Sequence, residues 1–525
     1  MHSILAFKLI LGSLVAIIVL QLAARRLQLP PAAALLVGGI AMAFVPGIPP
    51  VELDPELVLV VFLPPLLMEG AYFTVWDDLK RYLPGVLGLA IGAVVFTTLV
   101  VGVAVHAVVP ALPWAVCFAL GAIVSPPDAV AAKAVLTRLP LPRKLTVLLE
   151  GESLLNDATG LVLVRFAVAA ATTGAFSIGS ATTSFLVLAI GGAVVGTVFG
   201  YLVVRAMRIL EDDYLVITAS ILASWSSYLI GESLEVSGVI ATVACGIVLG
   251  WYQHEIFTAA VRMRGTAFWQ VMIFLLEALV FILIGLSLRG VLARLGGGAN
   301  AFVSLGIPVA VTLAAVIGAR FAWVYASEVF KLVVHRSRGA ANWRAATIIG
   351  WAGMRGVVTL AVALALPEGL PGRDLVLVAS FAVILVTVLV QGTSLGAVIR
   401  LVGVTPDAGR APTHLSETQA WARLQAVQYE AIHPLVHDAD GNVIHPRLLE
   451  QYGYLAELSK RIGQQTEFPR DVVVAHFGVV LAAIAAARKE LLALHRAGQL
   501  HDELLHAMER DLDLQEITAR NNRDA

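Results

Sequence analysis

The chain has 525 residues, of which 58% are hydrophobic and 14% charged, with a mean hydropathy of +0.85; soluble domains of that total length would carry far more charge. A net charge of −1 and a pI near 6.9 exclude the basic footprint of a nucleic-acid binder, and two cysteines, Cys117 and Cys245, both in apolar runs, exclude a disulfide framework. Of the 73 charged residues, 44 fall in residues 1–401 and 29 in the last 124, so the chain reads as a membrane domain, 1–401, followed by a soluble tail, 402–525.

A helix needs about 20 mostly apolar residues to cross a bilayer, and thirteen such runs precede Leu401. They cover 3–22, 30–48, 55–74, 84–106, 113–135, 146–173, 182–204, 213–230, 236–251, 266–288, 301–330, 343–365 and 375–400. The first run is longer than a signal-peptide core and its arginines, Arg25 and Arg26, follow it, so it reads as a retained span with the N-terminus outside. Alternation then puts Arg25, Arg26, Lys80, Arg81, Lys133, Arg138, Arg143, Lys144, Arg205, Arg208, Arg262, Arg264, Lys331, Arg336, Arg338 and Arg344 in inner loops. Outer loops hold only Arg289, Arg294 and Arg373. Sixteen against three obeys the positive-inside rule, places the protein in the plasma (inner) membrane with thirteen spans, and makes the tail cytoplasmic.

In the tail, Ser416 is placed to cap a helix reaching Ile432. A second pattern, Leu448–Ile462, ends at Gly463, which reads as a C′ glycine. A third helix starts near Pro469 and reaches about His495, and a fourth covers about His501–Ile517. The apolar run Val472–Ala487 is too short to span and contains His476, so it predicts a buried or partner-facing helix.

Charges inside spans are rare and usually functional. The densest group lies in Leu148–Leu163, LLEGESLLNDATGLVL. Glu152 with Asn156, and Ser153 with Asp157, are i, i+4 pairs, which predicts four oxygen-bearing side chains over one sector. A span starting near Leu145 puts Asp157 roughly 18 Å along it, close to the middle of the bilayer. A carboxylate there either glues helices together or binds a proton or cation. The second reading is favoured by a break in Gly121–Ala132, GAIVSPPDAVAA, where Pro126 and Pro127 predict unwinding around Ser125–Asp128. Unwound backbone at membrane depth belongs in protein or beside an aqueous cavity, and its freed carbonyls and half-helix ends suit an ion. A third interruption lies in Gly350–Pro367, where Gly350, Gly353 and Gly356 flank Arg355. The two broken segments are the fifth and twelfth runs, as expected of inverted repeats crossing at a midplane site. Glu69, Arg165 and Glu277 also fall inside runs; each either lines an access funnel or pairs with another charge, and pairing is the expectation.

Five segments in order, VFLPPLLMEGAYF (Val61–Phe73), SPPDAV, GESLLNDATG, FLLEALVFILIGLSL (Phe274–Leu288) and GMRGVVTL (Gly353–Leu360), resemble the monovalent cation/proton antiporters of the CPA1 class, the bacterial NhaP and animal sodium/proton exchanger group. The resemblance covers the membrane domain. It implies an all-α polytopic membrane protein of about thirteen transmembrane helices with inverted repeats and two broken crossing helices, followed by a helical cytoplasmic C-terminal domain. It further implies a homodimer, a core domain that shifts against a dimerisation domain, and electroneutral exchange of one cation for one proton. By the same resemblance Asp157 is the cation- and proton-carrying acid and Asn156 the asparagine before it. Ser153 is a hydroxyl ligand and Asp128 the acid of the unwound helix. Pro127 stands where the family usually has threonine, leaving its backbone carbonyl as the ligand. Glu152 is the acid that pairs with an arginine of the eleventh span, for which Arg320 is the candidate, and Arg355 balances the ends of the broken helix.

The chemistry needs little more. Protons and hard cations compete for the same oxygens, so an acid that lets the protein switch access only when protonated or cation-loaded couples two gradients. Asn156 adds no titrating charge, so one acid carries one proton or one cation. No cofactor signature is found, and no HExxH, GxSxG or paired catalytic aspartates, so a secondary transporter is expected and not an enzyme. Its partners are Na+, or Li+ or K+, together with H+ and lipid. A cation channel and a non-transporting ion or pH sensor are the rivals. Eight of twelve histidines lie in the tail, either scattered in solvent or sensing pH.

Overall fold

In lipid the backbone must satisfy its own polar groups, so apolar runs fold as helices, and the computed structural model of the chain is built from them. It describes residues 2–46, 54–128, 136, 141–174, 178–294, 299–335, 342–404, 417–438, 442–464, 470–497, 499–500 and 502–524. Two compact units result, Met1–Ala408 and Gly409–Ala525.

The membrane unit opens with α1 (His2–Leu27), α2 (Pro31–Ala43) and α3 (Pro55–Tyr72). Asp54 starts α3 by accepting from the amides of Glu56 at 3.0 Å and Leu57 at 3.3 Å, with Pro55 in the first turn. α4 (Trp76–Val108) begins eight residues before its apolar run and contains a π-helical turn, Gly88–Ala93. α5 (Trp114–Val124) stops just before Pro126 and Pro127, which lack the amide donors its continuation would use, and Ser125–Asp128 is irregular. The remainder of that run lies almost wholly outside the described residues, as do Lys133 and Arg138 of the neighbouring inner loop. α6 (Arg143–Thr173) is unbroken and ends at Gly174, whose φ of +71° suits glycine. There follow α7 (Ile178–Met207), α8 (Asp213–Ser233), α9 (Gly238–Ile256), α10 (Ala259–Arg294) and α11 (Ala299–His335). The 343–365 run is two short helices, α12 (Trp343–Trp351) and α13 (Val357–Leu364), separated by a non-helical segment around Met354 and Arg355. α14 (Arg373–Val402) carries a second π-helical turn, Thr387–Gly392. Among the described residues ten helices are long and apolar enough to cross a membrane, and α2 and α5 are shorter apolar helices.

Packing sorts these helices into two bundles. α1, α2, α3, α7, α8, α9 and α10 pack mainly on one another, and so do α4, α5, α6, α11, α12, α13 and α14. The seam is closed in part by an apolar cluster in which Leu154 and Ala158 of α6 meet Leu63 and Leu67 of α3, Tyr228 of α8, and Val239 and Val243 of α9.

The second unit holds α15 (Glu417–Ile432), α16 (Pro446–Gln464), α17 (Arg470–Arg496) and α18 (Asp502–Asp524). They pair as α15 with α16 and α17 with α18. Ser416, the expected cap, lies outside the described residues. Gly463 is helical and not a C′ residue, since glycine can continue a helix at modest cost. α18 runs seven residues past Ile517, because its polar C-terminal half, invisible to an apolar pattern, is laced by ion pairs such as Arg520 with Glu516 at 2.6 Å. α17 buries Ile484 and Leu491 and leaves Val474 and Val479 exposed, so one face of the apolar run is covered. Arg488 of α17 bridges Asp513 at 2.7 Å and Glu516 at 2.8 Å on α18. Hydrogen bonds from Arg520 and Arg488 hold the Glu516 carboxyl below its ordinary range.

Candidate functional site

Asp157 is the fifteenth of the 31 residues of α6 and borders a cavity of about 360 Å³ at the seam between the bundles. Helical geometry turns each successive side chain by about 100°, which separates the polar residues of α6 into two faces. Glu150, Ser153 and Asp157 line the cavity. Glu152 and Asn156 are buried in protein instead, so the single sector expected from the i, i+4 pairs is two sectors with different work.

The cavity gathers Asp157, Asp128, Ser153, Glu69 and Glu277, all named from the sequence, and adds Glu150, Gln270 and Thr359. Among the described residues no three His, Cys, Asp or Glu side chains converge tightly enough to hold a metal ion, so the carboxylates border the space and do not form a cage. Arg165 is not in its lining. It pairs with Glu232 at 2.9 Å, eight residues beyond Asp157 on α6.

Asn156 and Pro127 do not line the cavity either. The Asn156 amide donates to the Pro127 carbonyl at 2.5 Å, both within the protein interior. The Pro127 carbonyl thus accepts a hydrogen bond within the protein, and neither it nor Asn156 is among the groups lining the cavity. Because a carbonyl can only accept, the asparagine nitrogen must be the atom turned toward it. Pro126 contributes to the lining instead.

The two broken helices meet at Arg355, which is completely buried. Its Nε donates to the Val124 carbonyl at 2.9 Å and its Nη2 to that of Ser125 at 3.4 Å, while Nη1 donates to Gly353. The Arg355 amide donates to Thr387 Oγ1 at 3.1 Å, on the second π-helical turn. These carbonyls lie at or just past the C-terminal ends of α5 and α12, where a helix carries about half a negative charge. One guanidinium therefore serves two converging negative ends, and it supplies the donors that the interrupted backbone lacks. The Asp128 amide donates to the Met354 carbonyl at 2.7 Å, fastening one break to the other. The Asp128 carboxylate in turn lies against Gly356, just ahead of α13, so closely that a Cβ on Gly356 would overlap it. A carboxylate there meets the positive N-terminal end of α13.

Behind the cavity, Arg320 of α11 and Glu152 make a two-pronged pair, Nη1 to Oε1 at 2.7 Å and Nη2 to Oε2 at 2.9 Å, with side chains only 3% and 1% exposed. Arg320 Nε also donates to the Ile349 carbonyl in the last turn of α12 at 3.0 Å. This links α6, the helix of Asp157, to the broken one.

Gln270 and Thr359 carry no charge and no spacing signal, so nothing in the sequence singles them out, whereas Glu150 is one of the charges that interrupt the 146–173 run. Glu150 and Phe73 also border a second cavity of about 400 Å³, formed with Thr74, Asp78, Leu141 and Arg143. The two cavities share a wall at Phe73 and Glu150, on the side of the N-terminal end of α6.

Two interrupted helices meeting beside a carboxylate in mid-span define a membrane carrier architecture. The transmembrane sodium/hydrogen exchanger family matches residues 10–401. An uncharacterized Na+/H+ exchanger of Escherichia coli, YjcE, is 31% identical over 494 residues, 89% of this chain and 90% of that one. The Na+/H+ antiporter ApNhaP of Aphanothece halophytica is 32% identical over 395 residues, 74% of this chain and 72% of its own. The solved sodium proton antiporter MjNhaP1 of Methanocaldococcus jannaschii superposes with a TM-score of 0.60 at 20% identity, covering 77% of this chain and all of that one, a likeness of fold. The chain belongs to the sodium/hydrogen exchanger family, and it is a multi-pass membrane protein.

Proposed function

We propose that the protein is a secondary antiporter that exchanges a monovalent cation, Na+ foremost, for H+ across the plasma membrane. The observation that carries this reading is the placement of Asp157. It lies at mid-helix on a cavity between two bundles, while its neighbour Asn156, which cannot titrate, is turned into the protein. Asp157 binds either a proton or a cation, with Ser153 and Asp128 supplying further oxygens. Either ligand neutralises the acid and lets the bundle that holds α5, α6 and α13 shift against the other; the bare carboxylate does not cross. One cation then moves for each proton and no net charge is transferred. Glu152, Arg320 and Arg355 hold the site together and do not bind the ion. Glu69 and Glu277 lie on the access funnel.

Thirteen spans, the positive-inside pattern of the loops, an outer N-terminus and a cytoplasmic tail belong to the same proposal, as do a homodimeric assembly and a role in internal pH and Na+ homeostasis. The test is dissipation of a pH gradient in proteoliposomes on adding Na+, Li+ or K+, with and without an imposed membrane potential. The expected result is Na+-driven proton movement at a rate indifferent to the potential. Cation flux without coupled proton movement would defeat the antiport reading.

A further inference from the structure

Resting on the antiport reading, a carrier must close the end of its cavity that is not in use, and the two ends of α6 differ. Its cavity-lining residues are Glu150, Ser153, Leu154 and Asp157, so the open path runs toward the N-terminal end. Beyond Asp157 the apolar cluster of Ala158, Tyr228 and Val239 fills the seam. Arg165, about 12 Å further along the helix, then reaches across to Glu232 of α8.

That contact is unusual in what it joins. α6 and α8 belong to different bundles, whereas the pairs Arg143 with Asp78, Arg208 with Glu255, Arg264 with Asp213, and Arg320 with Glu152 each stay within one. Glu232 has two partners. Its Oε2 accepts from Arg165 at 2.9 Å, and its Oε1 accepts from the amide of Gly238, the first residue of α9, at 3.2 Å. If Arg165 leaves, Glu232 keeps the positive end of α9. Arg165 itself is 55% exposed and Glu232 34%, so neither side chain is enclosed by the protein and the arginine can leave its partner without repacking a core. The Glu152 and Arg320 pair, almost wholly buried, has no such freedom. An exposed pair between two bundles, with a fallback partner for the acid, can break and remake in every cycle.

We propose that Arg165 and Glu232 form a latch that closes access to the Asp157 cavity from the C-terminal end of α6, and that it opens when the bundles shift. The test uses the full-length protein with Cys117 and Cys245 replaced by serine, carrying Arg165→Cys and Glu232→Cys, in proteoliposomes. A short reducible bis-methanethiosulfonate is expected to lower exchange at least tenfold, with recovery in dithiothreitol and no effect on either single-cysteine protein. A linked protein that keeps its rate would overturn the latch. A second arm needs no transport. Leu161, one turn beyond Asp157, is packed at that seam and is not part of the cavity lining, and in detergent a Leu161→Cys thiol in the cysteine-free protein is expected to react with a water-soluble maleimide at least fivefold faster when Arg165→Gln is added. Equal labelling rates would also overturn the latch. Wild-type protein that exchanges no cation for protons would count against antiport, and the labelling arm would still decide the latch.

Discussion

Asn156 donates its side-chain amide to the carbonyl of Pro127 at 2.5 Å, so the residue beside Asp157 is a clamp on the broken helix. Its chemistry explains why an amide stands there: the carbonyl requires a donor, and an ionised carboxylate has none. Asn156→Ala is expected to lose about 1–3 kcal/mol, the usual result of leaving a buried polar group unsatisfied. This should show as a lower thermal midpoint in detergent. Asn156→Asp should be at least as destabilised at pH 8 and should recover part of the loss on acidification, since the protonated acid can again donate. A pH-independent midpoint for that variant would contradict the clamp.

Asp157→Asn should abolish cation-driven proton movement in proteoliposomes and leave the thermal midpoint close to the parent. The amide preserves shape and neutrality and removes the exchangeable proton. Ser153→Ala, which deletes one cavity oxygen, is expected to raise the apparent KM for the cation severalfold while the maximal rate changes less.

Glu152 and Arg320 should behave in the opposite way. Breaking a buried pair by removing one partner strands the other charge, typically at 3–5 kcal/mol, so Glu152→Gln or Arg320→Met is expected to reduce folded yield sharply. Replacing both, Glu152→Gln with Arg320→Met, should restore part of the yield, because no bare charge remains. A double variant as poor as the sum of the singles would argue that the Arg320 bond to the Ile349 carbonyl matters more than the ion pair.

The elements of this architecture are readable from residues whose local chemistry is decisive. Pro126 and Pro127 remove two backbone donors beside the polar Ser125 and Asp128, and Arg355 among glycines has no apolar rationale, so both interruptions are visible in the sequence, although Pro64 and Pro65 are tolerated inside α3. What joins them is not. The Arg355 bonds to Val124 and Ser125 span about 230 positions, and the clamp from Asn156 to Pro127 spans 29. The facing of α6 shows the same limit. An i, i+4 pattern says which side chains share a sector, but packing against α11 and the broken helix decides that Glu152 and Asn156 turn inward while Ser153 and Asp157 meet the cavity. Gln270 and Thr359 enter the lining only because α10 and α13 happen to pass there. The π-helical turns at Gly88–Ala93 and Thr387–Gly392 break no hydrophobic pattern, and so leave no trace in one.

Gly356 gives the sharpest test of how the broken helices hold their acid. A methyl group built on it would overlap the Asp128 carboxylate, whereas one on Gly353 would strike the Arg320 side chain. Gly356→Ala must therefore push Asp128 away from the N-terminal end of α13, where its charge is favoured, and change the cavity wall that both residues share. The arginine cluster behind it is untouched. Exchange by Gly356→Ala is expected to fall at least tenfold with folded yield largely kept. Gly353→Ala, which disturbs Arg320 and with it the Glu152 pair, should lose yield as well as exchange. Measuring both variants by fluorescence-detected size exclusion and proteoliposome flux separates the two. If Gly356→Ala exchanged at the parental rate, Asp128 could not be acting from the position it occupies here.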